Sequence, residues 1–237
     1  MKKLKIKSSF GSYEINDSKL SKSFFLKNSE NVFYLVDRNV YLKNKIINKI
    51  KKNIILIQSN ENAKNYLKIA SIIKKILEKK IKRDSVIFAI GGGVVQDISG
   101  FIASILFRGI KWNFIPTTIL AQCDSCIGGK TSINFEKTKN QLGSFYPPRN
   151  IYLDVNFLKT LKLNEIKSGL GEMAHYFLVS GSKDWNIFKK NLNYLVNKNL
   201  NQKLLKKMII KSLLIKKKFI EIDEFDTGKR LILNYGH

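Results

Sequence analysis

The 237-residue sequence contains only three prolines, two cysteines, two histidines and 18 acidic residues. The shortage of cysteine excludes a disulfide scaffold and a cysteine-rich zinc module, and the shortage of proline excludes collagen-like and proline-rich classes. No apolar run approaches the ~20 residues of a membrane-spanning helix. The basic start MKKLKIKSSFGSYEIN lacks the apolar stretch of a secretory signal. We therefore expect a cytoplasmic protein without a membrane partner.

Lysine and arginine, in contrast, number 43, and the formal net charge is +25. A charge of this size raises nucleic-acid binding as a hypothesis. The lysines are spread over nearly every helical segment among many asparagines and isoleucines, and no Cys/His finger or RNP-type aromatic strand is visible. We interpret the charge as a chain-wide compositional bias and expect no nucleic-acid partner. The 44% of hydrophobic residues is enough for a core and excludes a disordered chain.

The first half of the sequence alternates short apolar runs with helical patterns. The runs are VFYLV (32–36), IILI (54–57), VIFAI (86–90) and NFIPTT (113–118), and helical spacing lies at 64–81 and around IASILF. This alternation predicts a parallel sheet that is covered on both faces. The opening stretches LKIKSS and GSYEIN alternate like a small edge hairpin.

From about residue 164 the pattern changes to lysine-rich helical periodicity. An apolar stripe recurs at helical spacing, formed by Leu204, Leu205, Met208, Ile209 and Leu213. We predict a Rossmann-like α/β domain over residues 1–160 and an all-helical domain over 161–237. The sequence stops at NYGH without a closing helix, so we expect the second domain to be incomplete.

A glycine-rich turn follows the third apolar run. Gly91, Gly92 and Gly93 come directly after VIFAI and precede a helix that contains Asp97. Glycine lets a backbone approach a phosphate closely, and a helix N-terminus attracts anions, so the turn suits a dinucleotide pyrophosphate. A tight turn that binds nothing explains the same residues. The spacing is not G-x-G-x-x-G, and the turn alone does not decide between the two.

Several longer motifs recur in order along the chain. They are GGGVVQDISGFIASILFRG, IPTTILAQCDSCIGGKTSIN, KTKNQLGSFYPPR and SGLGEM. From about Asp37 to the last residue, this set resembles the 3-dehydroquinate synthase family of sugar-phosphate cyclases. The resemblance implies a phosphorus–oxygen lyase of the shikimate pathway that uses NAD catalytically with one zinc or cobalt ion. Such an enzyme converts a seven-carbon sugar-acid phosphate (DAHP) to 3-dehydroquinate, eliminates phosphate and produces no net NADH.

The resemblance also implies which residues contact NAD in the first domain. They are Asp37, Glu61, Lys64, Gly92, Gly93, Asp97, Thr117, Thr118, Lys139 and Thr160. Asp37 is expected to bind ribose, and the glycines and Asp97 form the pyrophosphate turn. A Pro-Thr-Thr sequence also makes an ordinary turn and helix cap, which is the alternative for Thr117 and Thr118.

Substrate contacts follow from the same resemblance. They are Arg108, Asp124, Lys130, Asn140, His175, Lys216, Arg230 and Asn234, and Lys130, Lys216 and Asp226 are expected to be catalytic. A substrate with a carboxylate and a phosphate needs several fixed cations, and arginine can hold either group bidentately. In the family the arginine of FRG, here Arg108, reaches a neighbouring subunit's site. The resemblance therefore implies a homodimer.

The expected metal ligands are Glu172 in GLGEM and His237 in NYGH. An oxygen and a nitrogen ligand suit zinc or cobalt with open positions for substrate oxygens. The family continues with a second catalytic histidine and a third ligand, and the sequence has neither after His237. We therefore expect a truncated copy or fragment that lacks the full metal site.

Two residues depart from the family pattern. His175 stands where lysine is usual, and Asp226 stands where glutamate is usual. Glu172 and His175 are three residues apart and would share one face of a helix. His175 is either an additional metal ligand or a replacement for the substrate-binding lysine, and both remain open.

The two cysteines, Cys123 and Cys126, have C-x-x-C spacing. A redox pair would need a thioredoxin-like unit and a thiol of low pKa. Because the pair lies inside one of the recurring motifs, we expect both thiols to be structural.

Four functional alternatives remain besides the leading one. They are a cyclase for another sugar phosphate, an NAD- and metal-dependent alcohol dehydrogenase on the same fold, a truncated inactive remnant, and a basic nucleic-acid binder. Net NADH production would identify the dehydrogenase, and salt-sensitive duplex binding would identify the nucleic-acid binder.

Overall fold

The computed structural model describes residues 3–26, 31–196 and 201–234. The strands are β1 (Lys3–Ile6), β2 (Tyr13–Asp17), β3 (Val32–Asp37), β4 (Ile54–Ile57), β5 (Val86–Gly91), β6 (Lys111–Pro116), β7 (Lys130–Phe135), β8 (Thr138–Phe145) and β9 (Asn150–Leu153). The α-helices are α1 (Lys22–Leu26), α2 (Arg38–Lys43), α3 (Tyr66–Glu78), α4 (Gly93–Ile105), α5 (Leu163–Val179), α6 (Ser182–Val196) and α7 (Gln202–Ile220).

Seven strands form one sheet in the order β1-β2-β9-β6-β5-β3-β4. All neighbours in it are parallel except β1 and β2, which pair as an antiparallel hairpin. The predicted parallel sheet and edge hairpin are therefore confirmed. All six residues of β3 are buried, as expected for a strand covered on both faces.

The sheet separates two groups of buried side chains. Phe33 and Leu35 of β3 belong to the larger group, which continues into the helices through Phe177 and Leu213. Tyr34 and Val36 point to the opposite face and pack in a smaller group. The larger core thus extends from the sheet to α5 and α7. The division of the chain at residue 160 remains a prediction.

Helix boundaries differ slightly from the sequence pattern. The helix expected over 64–81 begins at Tyr66 because Asn65 caps it, its side chain accepting a hydrogen bond from the Leu67 N–H. The helix containing IASILF ends at Ile105, since Phe107 and Arg108 have φ of 52° and 64°.

Two features were not predicted, the strand β9 and the separate hairpin β7–β8. β7 and β8 form a two-stranded sheet of their own, Asn134 of β7 makes one isolated bridge to Asn65, and β7 packs against α4. A Cβ on Gly100 of α4 would lie 2.6 Å from Thr131 Cγ2, so glycine allows this close approach.

In the part of the chain that the structure describes, no helix is long and apolar enough to cross a membrane.

Candidate active site

Two cavities are lined by predicted site residues. The sheet-edge cavity has a volume of about 340 Å³ and is lined by four of the predicted NAD residues, Asp37, Thr117, Thr118 and Thr160. The helix-side cavity has a volume of about 280 Å³. Eight predicted site residues line it: Gly93, Asp97, Asp124, Lys130, Glu172, Lys216, Arg230 and Asn234. The carboxyl ends of parallel strands are the usual ligand position in such sheets, and β3, β5 and β6 end here.

Asp37 ends β3 at the wall of the sheet-edge cavity. Its Oδ1 accepts a hydrogen bond from the Asn39 N–H at 2.8 Å, and its Oδ2 accepts one from Ser59 Oγ at 2.5 Å. Both carboxylate oxygens are thereby held by residues that line the same cavity. Thr118 Oγ1 accepts from the Ala121 N–H at 3.2 Å, so this threonine does form the ordinary turn contact while it lines the cavity.

The three glycines of the turn differ in the space that a side chain would find. A Cβ on Gly91 would lie 2.6 Å from Val95 Cβ, and one on Gly92 would lie 2.9 Å from Thr118 Cγ2. A Cβ on Gly93 would meet nothing within 4 Å. Packing of the protein itself thus requires the first two glycines, while Gly93 faces open space. Gly92 has no side chain to cap α4, so first-turn N–H groups remain available to an anion.

Lys64 joins residues from three parts of the chain. Its Nζ lies 2.9 Å from Asp97 Oδ2, 2.8 Å from Asn140 Oδ1 and 3.6 Å from Glu61 Oε1, and its side chain is 7% exposed. Burial raises the pKa of Asp97 to about 6 even though Lys64 opposes the shift. The structure therefore brings three predicted NAD residues together with Asn140, which was predicted to bind substrate.

Hairpin β7–β8 stabilises this cluster through hydrogen bonds of Asn134. Asn134 Nδ2 donates to Glu61 Oε1 at 2.9 Å, and this bond, with help from Lys64 and Lys139, holds the pKa of Glu61 below its ordinary value despite burial. Asn134 Oδ1 accepts from the Asn140 N–H at 2.9 Å. Lys139 itself is exposed and lines neither cavity.

Asp124 is the centre of a second cluster in the helix-side cavity. Its Oδ1 accepts hydrogen bonds from Lys216 Nζ and from the Tyr176 hydroxyl. The Lys216 side chain is 9% exposed and also donates to the Asp124 carbonyl at 3.0 Å. Burial and the neighbouring Asp124 carboxylate raise the pKa of Tyr176, so its hydroxyl stays protonated and donates.

Asp226 is the acceptor in a third cluster. Its Oδ2 accepts from Lys130 Nζ and, at 2.8 Å, from Asn234 Nδ2. The side chain is 7% exposed, and Oδ1 is buried without a hydrogen-bond partner among the described residues. Burial would raise the pKa of Asp226, but the bonds from Lys130 and Asn234 outweigh it and lower the pKa.

Arg230 lines the helix-side cavity with a side chain that is almost fully buried. Its Nη1 donates to the Glu224 carbonyl, and its guanidinium lies against Gly128, which has a φ of +101°. Lys130, Lys216 and Arg230 therefore bring three cations to the wall of one cavity.

The metal prediction has one described ligand. Glu172 of α5 lines the helix-side cavity, whereas His237 lies outside the described residues. Residues 163–179 are helical as the Glu172/His175 spacing assumes, but His175 does not line the cavity, and its Nε2 lies 3.3 Å from the Ile232 carbonyl oxygen. Over residues 3–26, 31–196 and 201–234, no group of three or more His, Cys, Asp and Glu side chains could hold a metal. Both hypotheses for His175 and the metal site stay predictions.

The cysteines are structural, as expected. Cys123 and Cys126 are free thiols that are fully buried, and burial raises the pKa of both. A high pKa is the opposite of what a redox pair needs.

Arg108 lies in neither cavity. It is exposed, and it follows α4 in a left-handed backbone conformation. Its predicted contact with a neighbouring subunit stays a prediction.

Three polar residues that line the helix-side cavity, Gln96, Ser125 and Tyr176, were not predicted from the sequence. Gln96 Nε2 donates to the Ser125 carbonyl at 2.5 Å, and Ser125 Oγ donates to Gln96 Oε1 at 2.7 Å. This pair ties α4 to the segment that carries Asp124, and Tyr176 holds the same carboxylate. Each of these residues is adjacent in sequence to a predicted site residue, and this adjacency was the only sequence signal for a position in the cavity.

Two family models of one enzyme family match the chain from residue 34 onward. Residues 34–168 match the N-terminal family model of 3-dehydroquinate synthase, and residues 169–237 match the C-terminal one. The 3-dehydroquinate synthase of Dictyoglomus turgidum is 41% identical over 187 residues, which cover 79% of this chain and 52% of that protein. The one of Buchnera aphidicola subsp. Cinara cedri is 40% identical over 236 residues, which cover 96% and 63%.

Among solved structures, the fold is similar to 2-deoxy-scyllo-inosose synthase complexed with carbaglucose-6-phosphate, NAD+ and Co2+. The TM-score is 0.85 at 23% identity, over 99% of this chain and 66% of that one. The predicted fold class, an α/β sheet domain followed by helices, is thus confirmed. The chain spans about half to two thirds of the length of these relatives.

Proposed function

The chain belongs to the 3-dehydroquinate synthase family, and from that premise we propose that it takes part in the NAD-dependent conversion of DAHP to 3-dehydroquinate with elimination of phosphate. The helix-side cavity carries this proposal, because it gathers Lys130, Lys216 and Arg230 beside the Gly93 end of α4. A substrate with a phosphate and a carboxylate needs such fixed cations.

We place NAD across the glycine turn. The sheet-edge cavity, with Asp37 and Thr118 at its wall, takes the nucleoside end, and the uncapped first turn of α4 takes the pyrophosphate. The Lys64–Asp97 pair stands at the start of the helix-side cavity and orients the redox end. NAD supplies a hydride acceptor that returns the hydride later, so the reaction has no net redox change.

The remaining steps depend on how the chain holds the substrate. Lys130, Lys216 and Arg230 bind its anionic groups, and Asp124 accepts a hydroxyl proton or hydrogen bond with an orientation set by Lys216 and Tyr176. Asp226 stays ionised at neutral pH, since its pKa is lowered, and orients Lys130 and Asn234. These contacts position the reacting carbon atoms and stabilise developing charge.

A divalent metal, zinc or cobalt, forms part of the same proposal, with Glu172 and His237 as ligands. Within the described residues only Glu172 is placed at the cavity. We also keep as proposals two domains that meet at residues 160 and 161, a cytoplasmic location, and a homodimer in which Arg108 completes the partner's site.

The test is an assay of phosphate and NADH in the same sample. The chain is incubated with DAHP, NAD and cobalt, and inorganic phosphate and NADH absorbance are followed. We expect NAD-dependent phosphate release without accumulation of NADH. Net NADH would identify the dehydrogenase alternative. Phosphate release from glucose 6-phosphate but not from DAHP would identify another cyclase. No product from either substrate would favour the inactive remnant. Lys216→Met should abolish phosphate release, whereas Lys218→Met, at an exposed neighbour, should not.

A further inference from the structure

Arg230 owes its orientation to two backbone positions. Its Nη1 donates to the Glu224 carbonyl, and its guanidinium packs on Gly128, where any Cβ would collide with Nη2. Only 3% of the residue is exposed. A buried guanidinium offers donors in a fixed plane, so its neighbours decide which way the plane faces.

The first position, Glu224, is fixed by the loop between β1 and β2. Glu224 Oε2 accepts from the Ser9 N–H at 2.8 Å, and Oε1 accepts from Ser8 Oγ. Burial would raise the pKa of Glu224, but the bonds from Ser8 and Ser9, with the charge of Arg230, lower it. The carboxylate is therefore ionised at neutral pH and makes charge-assisted bonds to this loop.

The second position, Gly128, is fixed by the hairpin itself. The Gly128 N–H donates to the Tyr13 hydroxyl oxygen at 2.9 Å, and Tyr13 of β2 is 2% exposed. Burial raises the pKa of Tyr13, so the hydroxyl remains neutral. Both backbone positions that Arg230 contacts are thus held by residues 3–17.

We propose that the β1–β2 hairpin is a positioning element for Arg230, and that Glu224 and Tyr13 are its positioning residues. Removal of either support leaves the arginine charge in the cavity but frees the guanidinium plane. Anion binding then weakens, because bidentate contact requires a fixed orientation. The inference rests on the proposed function only in that Arg230 binds an anion.

Glu221 provides a matched control. Its Oε1 accepts from the Lys7 N–H at 2.9 Å, so it joins the same loop to the end of α7, and its Oε2 pairs with Lys217. The carbonyl that Arg230 contacts belongs to Glu224, three residues later. Loss of Glu221 should therefore loosen the loop without turning Arg230.

The experiment measures binding of inorganic phosphate and of NAD by calorimetry. We expect Glu224→Ala to weaken phosphate binding by about fivefold or more and Glu221→Ala by about twofold or less, with NAD affinity unchanged in both. Glu224→Gln keeps an acceptor oxygen for Ser8 or Ser9 and should restore most of the affinity. Urea unfolding of all three variants shows whether they lose stability to a similar extent.

Equal losses of phosphate affinity in Glu224→Ala and Glu221→Ala, or no loss of phosphate affinity in either, would overturn the positioning role. Equal phosphate affinity of the wild type and Arg230→Ala would instead contradict the anion role of Arg230 and thus the proposed function. In that case the side-chain NMR signals of Arg230 still decide the positioning role. Restricted guanidinium rotation that is lost in Glu224→Ala and kept in Glu221→Ala supports it, and unrestricted rotation in the wild type refutes it.

Discussion

Each predicted site lysine in the described structure lies against a carboxylate, with the exception of exposed Lys139. The pairs are Lys64–Asp97, Lys130–Asp226 and Lys216–Asp124. Such pairing offsets part of the cost of removing a charge from water, so cations can stay in a cavity that is partly closed to solvent. It also orders each ammonium group before any ligand arrives.

The Lys64–Asp97 pair predicts an unusual titration. Burial raises the pKa of Asp97 from 3.8 to about 6, and Lys64 limits the rise. The folded-state pKa exceeds the unfolded one, so the stability that Asp97 contributes is present below pH 3.8 and is lost as pH rises through about 6. Carboxyl NMR should show a midpoint near 6, and Lys64→Met should move it higher. A midpoint near 4 would contradict the burial of this group.

The Asp124 cluster predicts a graded loss of stability. Lys216→Met leaves a buried carboxylate without its cation and should cost about 3–5 kcal/mol of unfolding free energy. Tyr176→Phe removes one hydrogen bond to the same carboxylate and should cost about 1–3 kcal/mol. Urea unfolding measures both, with Lys218→Met as the control near zero. Equal effects of Lys216→Met and Lys218→Met would argue against the ion pair.

Sequence reasoning found most of these residues but not their contacts. The motif resemblance identified Lys216, and not its neighbours Lys217 and Lys218, as a site lysine. It did not show that Lys216 pairs with Asp124, which lies 92 positions away. Tyr176 was missed because a tyrosine beside a predicted residue looks like any core aromatic. Pairings over such distances depend on the packing of α5 and α7, which no local pattern encodes.

Among the elements, the four parallel strands β3, β4, β5 and β6 were predictable, whereas β9 and the hairpin β7–β8 were not. Runs such as VIFAI are continuous apolar stretches because both faces of the strand are covered. In β8 the first four residues are exposed, and the sequence TKNQLGSF is mostly polar. β9 has only four residues. Neither strand has the long apolar signal that identified the others.

The packing of α5 predicts opposite effects at two glycines of the same helix. A Cβ on Gly169 would lie 2.5 Å from Ile119 Cβ and 2.8 Å from the Leu120 nitrogen, whereas one on Gly171 would meet nothing within 4 Å. Gly169→Ala should destabilise by about 1–3 kcal/mol through overpacking. Gly171→Ala should stabilise by about 0.5–1 kcal/mol through helix propensity. Thermal unfolding compares them, and a gain of stability in both would show that α5 does not press on the segment before Asp124.

For the whole molecule, the proposed homodimer involves a second copy of the chain. Arg108 is exposed and lines neither cavity of its own chain. A role in substrate binding therefore requires a second subunit. Sedimentation should find a dimer, and Arg108→Ala should weaken phosphate binding while the dimer persists. A monomer at all working concentrations would contradict the proposal.

Pyrophosphate binding by the glycine turn before α4 is the basis of the proposed NAD site. Gly93 tests it most directly, because its absent Cβ faces open space and substitution does not strain the protein, unlike Gly92 with Thr118 at 2.9 Å. The measurement is NAD affinity by calorimetry for the wild type, Gly93→Val and the control Gly171→Val. If the turn binds pyrophosphate, NAD should bind to the wild type and the control, and its affinity should fall by about tenfold or more in folded Gly93→Val. Equal NAD affinity in all three proteins, or no binding to the folded wild type, would contradict it.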